Sequence, residues 1–295
     1  MSGLGPWLIA RRVPRILVIA LMFPAGLFGL VSVASVVLTA ELRGWQIAAQ
    51  DTAAALALLI GVSLIAGGDP AAILLGAGSS WGMAVLLGSL TGRYASLVLP
   101  VQVLLLAGVT GVVAFTLSVS DTTAYWQASL VELAAELEQM GVQLGDPQAL
   151  AMLAPTMTGA VAASGVLASL LALILGAWWG SAAGGPRLGE MFVGLRLGVV
   201  VGGLAMVLGI ASLAGLGQLP GNLLLVVGMG FAVQGLAVIH WQARHRQWPW
   251  QVLLLVYVPL LLGPSIFALG WFFVAALGFV DNWYSLRRAS GDVIK

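Results

Sequence analysis

The chain has no cysteine and a single lysine, Lys295. Without cysteine there is no disulfide, no thiolate nucleophile and no sulfur-ligated metal. Without an internal lysine there is no Gly-rich turn followed by Lys, so ATP hydrolysis through a phosphate-binding loop of that kind is excluded. The two histidines, His240 and His245, stand five apart with no carboxylate beside them. No H-E-x-x-H pattern and no Ser-His-Asp constellation is readable. The sequence therefore leads to no metal, no cofactor and no enzymatic activity as expectations. Charge is scarce too. Charged residues make up 8% of the chain against 60% hydrophobic, and the net charge is +1. No surface combines aromatic and basic residues in the way single strands require, so nucleic acid is not an expected partner.

What fills the chain instead is apolar sequence, with a mean hydropathy of +1.05. A soluble domain of 295 residues could not hide that much apolar surface, whereas a bilayer can. The expected class is all-α: a polytopic integral membrane helix bundle, one domain over 1–295. Helices follow because backbone polar groups in lipid need internal partners. The apolar runs are 15–40, 52–66, 71–91, 95–118, 158–182, 197–216, 220–240 and 252–280. The first and last, at about 40 Å of helix, are too long for one crossing of about 30 Å of hydrocarbon. Each carries breakers: Pro24, Gly26 and Gly29 in one, Pro259, Gly263 and Pro264 in the other.

Charge chooses between threadings. If both long runs cross once, Arg11, Arg12 and Arg15 face opposite Arg43, Arg93, Arg187, Arg196, Arg244 and Arg246. If both fold as hairpins broken at Pro24 and at Gly263-Pro264, all twelve basic residues fall on one side. By the positive-inside rule that side is the cytoplasm. The expectation is then eight to ten hydrophobic segments in the bacterial inner membrane, both termini cytoplasmic. A long kinked helix is the alternative for either run. The N-terminal Arg cluster before an apolar run has the outline of a signal peptide, but the run is too long and lacks a small-x-small site, so no cleavage is expected.

Residues 119–156 read as an extracytoplasmic insertion. From Thr122 to Leu144 the apolar positions Trp126, Leu130, Leu133, Leu137 and Met140 are spaced 4, 3, 4, 3, one stripe of an amphipathic helix. Asp121 is its expected N-cap, and Asp146-Pro147 the start of a second short helix. It lies on its own bundle or the lipid surface, or else serves as a lid or partner-docking helix. Glycines at small-xxx-small spacing, namely Gly176/Gly180/Gly184, Gly78/Gly82 and Gly198/Gly202, mark close helix packing. Leading candidates for ligand contact are the polar residues at membrane depth, Gln102, Gln234 and Tyr257, with Asn222 nearer an edge. They either line a cavity or only bond between helices. No charged residue falls mid-run, so a carboxylate relay for proton coupling is missing. A cytoplasmic-face cluster is expected from Glu190, Arg196, His240, Asp281 and Arg287. Arg187 and Glu190 are placed to pair, and Asp281 is expected to pair with Arg196, Arg244 or Arg246.

The tail reads Leu277-Gly278-Phe279-Val280-Asp281-Asn282-Trp283-Tyr284, then Ser285-Leu286-Arg287-Arg288. It resembles that of the YybS-like family of bacterial predicted membrane proteins, a domain of unknown function that tends to end in L-G-L-x-D-x-W-x-x-x-R-R. Gly235-Leu236-Ala237 with His240, and Leu195-Arg196 after Glu190 and Phe192, match two further family patterns. The resemblance implies a distant similarity to the S components of energy-coupling-factor transporters, which capture small ligands and dock on a separate ATPase module. The chain departs from those in having about ten segments rather than six, and in offering only Ala25-xxx-Gly29 in place of an Ala-xxx-Ala contact. No ligand residues carry over. The leading expectation is a membrane protein that binds or moves a small or lipid-like molecule without its own ATPase. Its expected partners are membrane lipid and an ATPase module or other membrane protein. The alternative is a scaffold or assembly partner with no ligand.

Overall fold

The computed structural model describes residues 3–141, 151–261, 264–284 and 286–287. Within them every regular element is helical. Six helical segments are long and apolar enough to cross a membrane: Gly26–Arg43, Trp45–Ile65, Pro70–Tyr94, Val98–Ser118, Ala151–Ala182 and Leu219–His245. Two shorter apolar helices, Gly198–Leu213 and Trp250–Leu260, accompany them. The chain is a multi-pass, helical membrane protein.

The helices follow local rules. α1 (Leu4–Ala10) and α2 (Arg12–Met22) are separated at Arg11, which is extended. α3 (Gly29–Arg43) joins α4 (Trp45–Ile65) through one residue, Gly44, at φ 84°. A side chain there would be strained, so glycine makes this one-residue link possible. α5 (Pro70–Tyr94) starts with Asp69 accepting a bond from the Ala71 N–H at 2.8 Å and Pro70 in its first turn. α6 is Val98–Ser118. α7 (Thr122–Gln139) is capped as expected by Asp121, which accepts from the Ala124 N–H at 2.9 Å. α8 is Met157–Ala182, α9 Leu188–Val193, α10 Gly198–Leu213 and α11 Leu219–His245. α12 is Trp250–Leu261 and α13 Pro264–Tyr284.

Both long runs are broken and folded back. The first breaks at Phe23–Ala25, around Pro24. α2 then lies along α3, with Ser32 Oγ donating to the Ile19 carbonyl at 2.6 Å. In the last, Gly270 of α13 packs on Leu260 and Pro259 of α12. Gly263 lies outside the described residues, as do Asp146-Pro147, Arg288 and Lys295.

The chain divides into two compact units. One comprises 1–104 and 167–196, the other 105–166 and 197–295. In the first, α3 is the hub. Ala34, Val36, Val37, Leu38, Thr39 and Ala40 are buried. Apolar burial does not drive helices together in lipid, so close backbone approach has to. Cβ atoms at Gly88 and Gly92 of α5 would strike the carbonyls of Val37 and Glu41. One at Gly176 of α8 would meet Val37 and the Ala34 carbonyl. The expected Gly176/Gly180 face is thus an internal contact with α3. Gly184 has left the helix, at φ 94°. Gly82 faces open space, and the close contacts of α5 fall at Gly88 and Gly92 instead. Trp81 is buried on the same hub, edge-on to Phe23, and its indole N–H donates to Ser32 Oγ at 3.0 Å.

In the second unit α11 is the buried helix, with Phe231 to Val238 all buried. Cβ atoms at Gly235 and Gly278 would overlap the carbonyls of Val274 and Phe231, so α11 and α13 cross at backbone contact. α7 is fixed by Trp126, whose indole N–H donates to Thr158 Oγ1 at 2.8 Å, and by ring contacts of Phe115 with Tyr125 and Trp126. Of the expected stripe, Trp126, Leu130 and Leu137 are half-buried, while Leu133 and Met140 are exposed. Asn222 bridges chain segments here. Its Oδ1 accepts from the Gly159 N–H at 2.6 Å and its Nδ2 donates to the Pro155 carbonyl at 2.9 Å.

Candidate functional site

In the second unit the C-terminal end of α13 meets the start of α10 and the middle of α11 in a buried polar cluster. Gln234 is completely buried. Its Oε1 accepts from the Leu197 N–H at 2.9 Å, and its Nε2 donates to Asp281 Oδ2 at 2.9 Å. Asp281, also inaccessible, receives Arg287 Nη2 at 2.6 Å. Next to it, Asn282 accepts from the Gly198 N–H at 3.0 Å and donates to the Gly198 carbonyl at 2.9 Å. Gly202 leaves room for the Asn282 amide, which a Cβ would meet at 2.5 Å. Local sequence explains the arrangement. The segment before α10 reaches Gly198 at positive φ and has free backbone donors there, and the amides of Gln234 and Asn282 take them up.

One salt bridge at Asp281 comes from Arg287, six residues on, an arginine beyond the three the sequence pointed to. The physical reason is the turn after α13, which brings the arginine back over the helix end. Both partners are shielded from solvent, so this is more than a surface pair. Asp281→Asn is expected to cost about 1–3 kcal/mol, because an amide would set a donor against the guanidinium. Thermal melting in detergent reads this out, and reversing both charges (Asp281→Arg with Arg287→Asp) should recover part of the loss.

The other expected site residues are placed as follows. Tyr257 is half-buried, its hydroxyl 3.4 Å from His240 Nε2 and its ring edge-on to the imidazole. His240 Nδ1 lies 2.9 Å from the Leu236 carbonyl, its own helix's i−4 position. Gln102 is half-buried on α6, in the first unit. Glu190 is exposed and pairs with Arg187 at 3.1 Å; Arg196 is exposed as well. Asp281, Arg287 and Gln234 are brought together, and His240 is brought to Tyr257.

Two clefts among the described residues bear on a ligand site. One of about 350 Å³, in the first unit, is lined by Ser96, Arg187, Glu190 and Met191 among others. The second, about 270 Å³, is an apolar groove of α11, α12 and α13 lined by Ile239, Leu255, Pro259, Phe273 and Leu277 among others. Neither lining includes Gln102, Gln234 or Tyr257.

Two acidic residues, Asp51 and Glu41, lie inside helices at positions that hydropathy along the chain does not mark. Asp51 lies within α4, fully inaccessible, and receives Arg15 Nε and Arg12 Nε, each at 2.8 Å. Arg15 Nη1 also donates to the carbonyls of Leu8 and Ile9, at 3.1 and 3.2 Å, closing the open C-terminal end of α1. Glu41 is buried within α3, and neither carboxylate oxygen has a hydrogen-bond partner among the described residues. The signal available was helix phase. Both acids sit just beyond the apolar runs as first bounded, where the helices in fact continue.

No family model, curated protein or solved structure matches the chain.

Proposed function

We propose that this chain is a non-enzymatic protein of the bacterial inner membrane that serves as a scaffold or assembly partner, without an interior ligand chamber. The observation that carries the reading is the state of Gln234. It is one of the two clearest polar residues at membrane depth, with Gln102, and both ends of its amide are occupied by internal bonds in a fully buried position. An amide so placed specifies packing, and its complete burial keeps it from a ligand. The surface that meets the partner is α7. It presents Glu132, Glu136 and Glu138 beside exposed Val131, Leu133 and Met140. On this reading both termini are cytoplasmic and α7 is outside. The fold-back of α2 on α3 and of α13 on α12 supports that threading, since only hairpins gather all basic residues on one side. The YybS-like resemblance is compatible with it.

A second reading, capture of a small ligand in the manner of a transporter S component, is favoured by the cleft of about 350 Å³ with Ser96, Arg187 and Glu190 in its wall. That volume falls at the lower end of ligand sites. Native mass spectrometry of the full-length protein, released from its own membranes, separates the two. The expected result is a protein partner at fixed stoichiometry that is lost in Leu133→Lys/Met140→Lys while melting is unchanged. A retained small-molecule mass that disappears in Arg187→Ala would establish the second reading and overturn the first.

A further inference from the structure

We propose that Glu41 is a proton-binding site, set at the crossing of α3 with α8 in the first unit. This goes beyond the scaffold reading and does not depend on it. Glu41 is 9% exposed, and both its carboxylate oxygens are buried with no hydrogen-bond partner among the described residues. A Cβ at Gly180 of α8 would fall 2.6 Å from Oε2 and 2.9 Å from Oε1, so the carboxyl group occupies the space left by a residue of α8 that has no side chain. On the other side, Gly92 of α5 approaches the Glu41 backbone just as closely. The glutamate is therefore enclosed by two glycine contacts, as an accommodated feature of the packing.

The cations near this crossing are engaged elsewhere. Arg12 and Arg15 are on Asp51, which lies on α4. Arg43 donates to the Ile9 carbonyl at 3.2 Å, and the Arg93 guanidinium stands 5.7 Å from the centre of the Tyr94 ring. α1 and α8 carry no charged residue at all. Among the described residues no group of three or more His, Asp or Glu is gathered as a metal would need. A proton needs only the one carboxyl. It binds as –COO⁻ + H⁺ → –COOH, with no other reactant. An isolated carboxylate cannot stay in a dry helix crossing without neutralising or finding water. The ionised carboxyl needs water or a cation, and making room for either against Gly180 couples protonation to the packing of α8 on α3.

Infrared spectroscopy of the full-length protein with ¹³C at its glutamate carboxyls tests this. Near neutral pH exposed glutamates are ionised. The expected result is one carboxylic-acid C=O stretch, shifted by the label and by D₂O, and lost in Glu41→Gln. The variant Glu132→Gln/Glu136→Gln/Glu138→Gln/Glu190→Gln leaves Glu41 as the only glutamate and should keep the band. No band in the wild-type protein or in that variant overturns the proposal, as does a band that survives in Glu41→Gln. The coupling has its own readout. A folded state holding a proton that the unfolded chain releases loses stability as pH rises. The wild-type melting temperature should fall with rising pH relative to Glu41→Gln. Parallel pH profiles would overturn the coupling.

Discussion

Asp51→Ala should lower the stability of the folded chain by about 3–5 kcal/mol, the usual cost of leaving one member of a buried ion pair behind. Asp51 is fully inaccessible and Arg15 is 4% exposed, so neither can turn to water. Arg15 would keep only its two carbonyl acceptors at the end of α1, and a guanidinium without its counter-charge would remain in the packed interior. Arg12 meets the same carboxylate from a side chain 58% exposed, and Arg12→Ala should therefore cost no more than about 1 kcal/mol. Replacing both buried partners, as Arg15→Met/Asp51→Leu, should recover much of the loss, because the desolvation cost disappears with the charges. Thermal or denaturant unfolding in one detergent compares the three. A mild Asp51→Ala phenotype would mean that water or lipid headgroups reach Arg15.

The second large effect is expected at the α11–α13 crossing. Gly235→Leu puts a side chain where the Val274 carbonyl already stands, and Gly278 faces the Phe231 carbonyl in the reciprocal position. Backbone cannot turn aside as a flexible side chain can. Even Gly235→Ala should cost about 1–3 kcal/mol, and Gly235→Leu more. The separation of the helices would also draw Gln234, the preceding residue, away from Asp281. Gly228 of the same helix is the control, since a Cβ there meets nothing within 4 Å. Gly228→Ala should stay within about 0.5 kcal/mol. Equal melting of the Gly235 and Gly228 variants would place this crossing apart in the membrane.

The break at Pro24, the cap at Asp121 and the long apolar helices were all legible in the sequence. Each is set by residues within a few positions of one another: a proline lacking its N–H, a carboxylate in reach of a free backbone donor, a run of apolar side chains. The glycine spacings announced close packing but not where it falls. In α5 the contacts are at Gly88 and Gly92, not at Gly78 and Gly82, because spacing repeats along a helix while the partner crosses it once. Gln234 was readable as a polar group needing a partner. That the partners are the Leu197 N–H and Asp281 was not, since they lie far away in the chain.

By itself, then, the sequence determined a helical membrane chain and placed the breakers in its two longest runs, leaving hairpin or kink open. These rest on composition and local chemistry. Only the tertiary structure decided which charges are buried and what they meet. Asp51 takes two arginines from α2, Asp281 takes Arg287 and Gln234, and Glu41 takes none among the described residues. The physical reason is that burial belongs to a helix face in contact with its neighbours. A carboxylate at the edge of an apolar run is solvated or enclosed according to which face the crossing helix covers, and hydropathy along the chain carries no record of that.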